Sequence, residues 1–316
     1  MSIVTFWNDS REQSGRTLSA VAVATNMAIE RNSRILVIST SFDDPTLKNC
    51  FWGNENAKNT SLFGNSKAGN VAVENGIEGL SKLITSNKLE PNVITDYTKV
   101  VFKDRLEILN GFTYVLENDM ETNLNQYRKM QDCYIELIKV ANRYYDMVIV
   151  DLDRMLNPQL QEALLKLSDI NIYVLSQKME SINKYNELKH RSEAFVGNKY
   201  IPVIGRYDRR FKYNVKNIAR YLEEKRELHL VPLNLLYMEA AEEVRVADLF
   251  LKLKNIKDKT DEYYIFMECI QNLTNTIYKR LQEMKMRLRW KNVNNQYNIN
   301  DCCCYRCNIR FNVLFE

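Results

Sequence analysis

The chain has 316 residues, of which 45% are hydrophobic, so it is long enough to bury the core of one large α/β domain or two small ones. Its 44 Lys and Arg residues against 40 Asp and Glu residues leave a net charge of only +4, too small to indicate a nucleic-acid partner unless the charge is clustered. No run of about 18 apolar residues occurs and the first residues are typical of a strand, so we expect a cytoplasmic protein without a secretion signal or membrane span.

Short apolar runs alternate with segments of helical spacing along the chain. The runs that predict strands are SIVTFW, RILVIS, LEILNG, YDMVIVDLD, INIYVLS, IPVIGRYD and LHLVPL. The segments that predict helices are residues 17–31, 76–85, 123–145, 157–167, 181–194 and 213–225. Continuous apolar strands are typical of a parallel sheet that is covered on both faces, and the intervening helices provide right-handed crossovers. We therefore predict a doubly wound, mostly parallel α/β sheet with helices on both faces.

One domain over residues 1–290, followed by a polar tail over residues 291–316, is the simplest division of the chain. No repeat and no linker rich in Pro or Gly interrupts the pattern, and residues 42–101 carry the many Asn, Ser and Gly residues of a surface excursion. The tail contains DCCCYRC, with Cys302, Cys303, Cys304 and Cys307, but a zinc site needs a second, distant pair of ligands. We expect this tail to be disordered.

The segment after the first strand has the layout of a phosphate-binding loop, although most of its residues differ from the motif. A P-loop reads G-x-x-x-x-G-K-[ST], in which backbone N–H groups and a lysine hold phosphate and the hydroxyl coordinates magnesium. Here Gly15 and Thr17 match in full, whereas Ser10 and Arg16 replace the first glycine and the lysine. The alternative is a strand, turn and helix without a ligand, in which Ser10 or Ser14 caps the helix.

The same segment resembles the deviant loop of the MinD/ParA family, which reads K-G-G-x-G-K-[ST] and begins with a signature lysine. The segment REQSGRT places Arg11 and Arg16 at the two lysines. Glu12 and Gln13 replace two glycines. Further matches follow in order: RILVIS, LEILNG, the Walker B strand YDMVIVDLD, and the closing strand, loop and helix VPLNLLYMEAAEEVRVADLF. The resemblance therefore covers roughly residues 1–290.

This resemblance implies a P-loop NTPase of the SIMIBI type that forms a homodimer around ATP and Mg²⁺ and positions cargo in the cell. It implies that Thr17 and Asp151 hold the magnesium ion. The nucleotide-binding residues that it implies are Arg11, Glu12, Gln13, Ser14, Gly15, Arg16, Thr17, Leu18 and Arg206.

Departures from the family pattern bear on hydrolysis more than on binding. Ser39 and Ser41 stand where the family's second strand ends in an aspartate that orients water. Asp43 and Asp44 are the remaining candidates for that catalytic role, although they are out of register. Gly205 stands where an asparagine commonly contacts the base. Arginine can hold phosphate, but hydrolysis needs close positioning that the altered loop does not reproduce, so we expect ATP binding with little or no turnover.

Three functions follow from these residues. The first is an ATP-gated positioning or assembly factor, since similar proteins that localise pilus or secretion machinery, such as TadZ and CpaE, also carry damaged loops. The second is a pseudo-ATPase scaffold that binds no nucleotide, in which Asp151 caps a helix or pairs with Arg154. The third is an active ParA-type partition ATPase, which requires a local shift that brings Asp43 or Asp44 into register.

Two basic segments could contact larger partners. Residues 277–291 combine an apolar helical stripe with a cluster of Lys and Arg, and they resemble the C-terminal membrane helix of MinD, which implies contact with the inner face of the membrane. The alternative is a last helix packed on the sheet. Residues 205–226 could close over phosphates, contact DNA without sequence preference, or form a solvated loop and helix. His190 and His229 have no suggested Ser or Cys partner, so no nucleophilic triad is predicted.

Overall fold

The computed structural model describes residues 1–9, 13–52, 76–113, 118–192, 195 and 199–301, and for residues 288–301 it describes the backbone alone. The chain divides into two compact units, Met1–Asn275 and Thr276–Glu316. The candidate site lies entirely in the first unit.

The first unit is built around one eight-stranded sheet. Its strands are β1 (Ser2–Trp7), β2 (Ile35–Ser39), β3 (Lys99–Phe102), β4 (Leu106–Leu109), β5 (Met147–Asp151), β6 (Ile170–Leu175), β7 (Tyr200–Tyr207) and β8 (His229–Pro232). They lie in the order β3-β4-β2-β5-β1-β6-β7-β8, and all neighbours are parallel except β3 and β4. Every residue of β1, β2, β5 and β6 is buried, as the continuous apolar runs predict.

Helices cover both faces of this sheet. They are α1 (Arg16–Glu30), α2 (Thr46–Asn49), α3 (Ile77–Thr85), α4 (Met120–Gln131), α5 (Cys133–Tyr144), α6 (Pro158–Leu167), α7 (Met179–Arg191), α8 (Val215–Tyr221), α9 (Leu235–Glu242) and α10 (Val246–Leu253). The last helix is α11 (Glu262–Asp301). Helices α3, α5, α6, α7 and α8 pack on one core that includes Leu36 and Ile38 of β2. Helix α1 packs against β1, β2 and β5 and against α10. The predicted doubly wound α/β fold is therefore confirmed.

Three elements differ from the sequence prediction. The sequence predicts one helix over residues 123–145, but the structure has two, which a turn at Asp132 separates. The first of them, α4, starts earlier than predicted because Asp119 accepts a hydrogen bond from the Thr122 N–H and caps it. Strand β3 was not predicted, since it is an exposed antiparallel edge strand whose Val100 is 60% exposed. The closing segment forms α9 and α10, where one helix was expected.

The last helix crosses from the first compact unit into the second. The sequence predicts a disordered tail from residue 291, but residues 291–301 continue α11 as helix. The cysteine cluster lies outside the described residues. Within the second unit, Lys285 and Arg287 are exposed and Met286 between them is 53% exposed. No helix in the described part of the chain is long and apolar enough to cross a membrane.

Candidate functional site

The candidate site lies at the carboxyl edge of the parallel strands. β1 lies at the centre of the sheet, between β5 and β6. After β1 the chain forms β2, on the β5 side of β1, and after β5 it crosses to β6 on the opposite side. Ligands of open α/β sheets bind at this edge, where the strand order reverses. The loop that joins β1 to α1 therefore occupies the position that the fold offers to a ligand.

Helix α1 begins without a side-chain cap among the described residues. Gly15 precedes it with φ 78°, a left-handed conformation that glycine adopts without strain. The hydroxyl of Ser14 accepts a hydrogen bond from Asn8 Nδ2 at 2.7 Å and does not cap the helix, so the Ser14 cap of the alternative without a ligand is not formed. The first N–H groups of α1 are thus oriented towards the loop, as anion binding requires. Ser10, Arg11 and Glu12 lie outside the described residues.

Arg16 is buried and paired with two carboxylates. Its Nε donates to Asp151 Oδ1 at 2.6 Å, and its Nη2 lies 3.0 Å from Asp153 Oδ2. The Arg16 side chain is 9% exposed and that of Asp151 only 1%. Thr17 completes the cluster, since its hydroxyl donates to Asp151 Oδ2 at 2.8 Å. The sequence alternative of an Asp151–Arg154 pair is not formed; Asp151 pairs with Arg16.

Burial and charge act in opposite directions within this cluster. Burial lowers the pKa of Arg16, but the charges of Asp151 and Asp153 outweigh it and leave the pKa above its ordinary value. Burial raises the pKa of the Asp151 carboxyl, and the Arg16 charge and the Thr17 hydroxyl offset part of that rise. Arg16 therefore keeps its charge, and the interior position of Asp151 depends on this cation.

The backbone around the two carboxylates is held by β1, β2 and α4. Asp151 is the last residue of β5 and lies in register with Phe6 of β1 and Ser39 of β2. The N–H of Asp153 donates to Thr40 Oγ1 at 2.8 Å, and the hydroxyl of Tyr127 on α4 donates to the Thr40 carbonyl at 2.6 Å. These contacts place both carboxylates against Arg16.

A magnesium ion does not fit beside Arg16 in this arrangement. Both oxygens of Asp151 accept hydrogen bonds from Arg16 or Thr17, while Asp153 accepts from Arg16 and from the Met155 N–H. Thr17 and Asp151, the predicted magnesium ligands, are brought together, but the guanidinium already supplies the positive charge. In the described residues, no group of three or more His, Cys, Asp or Glu side chains has the arrangement of a metal site.

The end of β2 carries hydroxyls in place of a water-orienting carboxylate. Ser39 Oγ donates to Ser41 Oγ at 2.8 Å, and both residues are buried. Asp44 accepts from the Thr46 N–H at 2.9 Å and so belongs to the start of α2. Asp43 has φ 51°, and its N–H bonds to the carbonyl of Phe112. These contacts place Asp44 at the start of α2 and tie the backbone of Asp43 to Phe112.

Arg206 closes over the loop from the opposite side. It interrupts the pairing of β7 with β8, with φ 51°, and this bulge directs its side chain across Gly15. A Cβ atom placed on Gly15 would lie 2.7 Å from Arg206 Cγ, and Arg206 Nη1 donates to Gln13 Oε1 at 3.2 Å. Leu18 is the remaining residue of the predicted nucleotide-binding set, and its backbone carbonyl accepts a hydrogen bond from the Tyr237 hydroxyl at 2.7 Å.

A cleft lies between the ends of β7 and β8 and the start of α11. Its volume is about 320 Å³, and Tyr207, Pro232 and Leu233 form part of its wall. The adjoining loop is anchored by Gln177, whose amide nitrogen donates to the carbonyls of Asp208 and Tyr213. The volume of the cleft lies at the low end of the range for small-molecule sites.

The structure brings most of the predicted site residues together and adds one partner that was not predicted. Gln13 to Leu18, Asp151 and Arg206 meet around the loop, whereas the carboxylate of Asp44 is bonded at the start of α2. Asp153 was not predicted as a site residue. Two features of the sequence could have indicated it: a second carboxylate two residues after Asp151, just beyond the end of β5, and an arginine at the position of the loop lysine.

Solved structures with this fold belong to ParA and MinD proteins. A ParA family ATPase from Chlorobium tepidum superposes with a TM-score of 0.60 at 15% identity, over 86% of this chain and 97% of that chain. The septum site-determining protein MinD of Pyrococcus horikoshii, complexed with Mg-ADP, gives 0.56 at 14% identity over 86% and 95% of the two chains. A putative plasmid partition protein from Borrelia burgdorferi, bound to AMPPNP, gives 0.54 at 16% identity over 88% and 99%.

No protein-family model matches the sequence, and no curated protein matches it. The chain has the MinD/ParA fold of P-loop ATPases, which confirms the fold that its motifs resemble. Identities this low establish the fold, so the chemistry of the site has to be argued from its own residues.

Proposed function

We propose that this protein is a MinD/ParA-like positioning or assembly factor that binds ATP with little or no hydrolysis. The arrangement of Arg16 carries the proposal. Its guanidinium lies at the start of α1, where phosphate binding needs a cation, but its hydrogen bonds go to Asp151 and Asp153. Phosphate can still be held by the N–H groups of α1, by Arg206 and by the remaining face of Arg16.

The groups that hydrolysis requires are the ones that the site lacks or has engaged. Phosphoryl transfer depends on an oriented water and on charge placed against the developing negative charge. Ser39 and Ser41 cannot act as carboxylates, and Asp44 is used at the start of α2. Slow turnover would let the bound nucleotide act as a long-lived signal for a partner protein.

The base would lie in the cleft at the end of β7, against Tyr207 and Pro232. Its recognition would depend on the shape of the cleft and on the groups that line it. A homodimer around the nucleotide and partners in a localisation machine belong to the same proposal, by analogy with the fold.

The test is a titration of the protein with a fluorescent ATP analogue, with phosphate release recorded in parallel. Arg206→Ala removes the arginine over the loop. Arg220→Ala is the matched control, since Arg220 is an exposed arginine of the same segment that does not line the cleft. Saturable binding that Arg206→Ala weakens and Arg220→Ala retains, with negligible phosphate release, would support the proposal. No binding by the wild type would favour the scaffold alternative, and steady phosphate release would favour an active partition ATPase.

Contact with a membrane through residues 277–291 is a separate part of the proposal. The exposed run of Lys285, Met286 and Arg287 supports it, because cations and an exposed apolar side chain suit an anionic lipid surface. Pelleting with anionic liposomes tests it by comparing the full chain with a chain that ends at Tyr278. If both stay in solution, this part of the proposal is wrong.

A further inference from the structure

Arg16 occupies a position between two carboxylates that a divalent cation would otherwise neutralise. Asp151 and Asp153 contribute two negative charges, and the guanidinium of Arg16 lies 2.6 Å from an oxygen of the first and 3.0 Å from an oxygen of the second. The pair is shielded from water, since Asp151 is 1% and Arg16 is 9% exposed. Opposite charges that are buried in this way interact far more strongly than they would in solvent.

The shape of the arginine side chain allows it to bridge. A guanidinium has five N–H donors in a rigid plane, whereas a lysine ammonium is a compact point charge. Nε and Nη2 of Arg16 hold the carboxylates, and Nη1 has no hydrogen-bond partner among the described residues. One edge of the guanidinium is thus hydrogen-bonded to the two carboxylates, and Nη1 can donate to an anion.

A magnesium ion would have to displace this guanidinium before it reached the carboxylates. Magnesium loses its bound water reluctantly and needs near-octahedral oxygen ligands. Here the carboxylate oxygens are engaged by Arg16, by Thr17 or by the Met155 N–H. Displacement would also leave Arg16 without its partners in a largely buried position.

We infer that Arg16 replaces the divalent cation of this site, so that the protein binds nucleoside polyphosphates without magnesium. The inference rests on the proposed nucleotide binding. Arg16 contacts the phosphates and the carboxylates of Asp151 and Asp153 at the same time. Only a planar guanidinium has donors that can reach both the phosphates and the carboxylates. Asp153, which adds a second negative charge beside the phosphates, limits the affinity.

The first experiment measures the affinity for a fluorescent ATP analogue in excess magnesium and in excess EDTA. For the wild type we expect affinities within about twofold of each other. For Arg16→Lys we expect affinity in EDTA to fall at least about tenfold below that in magnesium, because an ammonium cannot span both carboxylates and phosphate. Circular dichroism and thermal unfolding establish that the variant is folded.

A second variant keeps the inference testable if Arg16→Lys does not fold. Asp153→Asn removes one negative charge beside Arg16 and leaves Asp151 in place. We expect its affinity in EDTA to rise at least about threefold, because repulsion of the phosphates decreases. Asp146→Asn is the matched control, since Asp146 precedes β5 at the opposite end of that strand, and it should leave the affinity unchanged.

The outcomes separate this inference from the proposed function. Wild-type binding that needs magnesium by a factor of about ten or more overturns the inference and leaves nucleotide binding intact. The inference is also overturned, with nucleotide binding intact, if the affinity of Arg16→Lys depends on magnesium no more than that of the wild type. It is likewise overturned if Asp153→Asn does not bind more tightly than the wild type. Absence of binding in both conditions overturns the proposed function, and the inference with it.

Discussion

Gly205 of β7 lies directly beneath the backbone carbonyl of Ser14, so that a Cβ atom on Gly205 would be 2.1 Å from that oxygen. The loop before α1 therefore rests on the strand at a point where no side chain fits. This contact explains the glycine at a position where the family pattern commonly has an asparagine. The loop takes the space that such a side chain would fill.

Gly205→Ala should displace the loop and abolish nucleotide binding. We expect a loss of stability of about 1–3 kcal/mol, because the methyl group has to push backbone atoms aside. Urea unfolding and titration with the ATP analogue measure the two effects. Ile204→Val is the control in the same strand and should cost about 0.5–1.5 kcal/mol while binding persists. Unchanged binding in Gly205→Ala would show that the loop position is not needed.

Arg16→Ala should destabilise the protein by about 3–5 kcal/mol, because it leaves Asp151 charged and buried without its partner. Urea unfolding measures this change. In the double variant with Asp151→Asn, we expect a smaller loss than the sum of the two single losses. Lys166→Ala breaks an exposed pair with Glu162 and should change stability by less than about 1 kcal/mol. Additive losses would mean that Arg16 and Asp151 do not depend on each other.

Arg206→Gly should change stability and binding in opposite directions. Arg206 has φ 51°, which costs a residue with a Cβ atom about 1–2 kcal/mol, and glycine relieves much of that strain. Nucleotide affinity should fall, because the positive charge over Gly15 is lost. Thermal unfolding and titration provide the two readouts, with Arg209→Gly as the control that should gain no stability. A lower melting temperature for Arg206→Gly than for Arg209→Gly would contradict the strain argument.

Glu224 should stabilise the protein at neutral pH and lose that effect in acid. Burial by itself would raise the pKa of Glu224, but the Tyr185 hydroxyl, the Arg226 N–H and the Lys189 ammonium outweigh it, so the pKa is lowered. Because the folded state holds the carboxylate more strongly than the unfolded state does, the contribution is full above the unfolded pKa of about 4.3 and disappears as pH falls through the lower folded value.

Urea unfolding of the wild type and of Glu224→Gln tests this expectation. The difference in unfolding free energy between the two proteins should be present at neutral pH and should shrink as the pH falls below the unfolded pKa of about 4.3. Glu162→Gln, in an exposed helical pair, is the control whose effect should be small at every pH. A difference for Glu224→Gln that stays constant with pH would exclude the proposed role of its charge.

The strands that carry the site were predictable because burial on both faces leaves a continuous apolar run in the sequence. β1, β2 and β5 show such runs, and the alternation with helices indicates their parallel order. β3 escaped prediction because an exposed edge strand needs no such run. The loop was predictable because Gly15, Arg16 and Thr17 are adjacent in the chain.

The sequence by itself determined the fold class, the loop after β1 and the loss of a carboxylate at the end of β2, since each depends on residues close in the chain. The tertiary structure alone decided which partner Arg16 takes. Asp153 lies 137 positions away in sequence and reaches Arg16 because β5 pairs with β1 in the sheet. The left-handed bulge at Arg206 likewise depends on the pairing of β7 with β8. Contacts between distant segments follow from strand order, which local patterns of hydrophobicity do not encode.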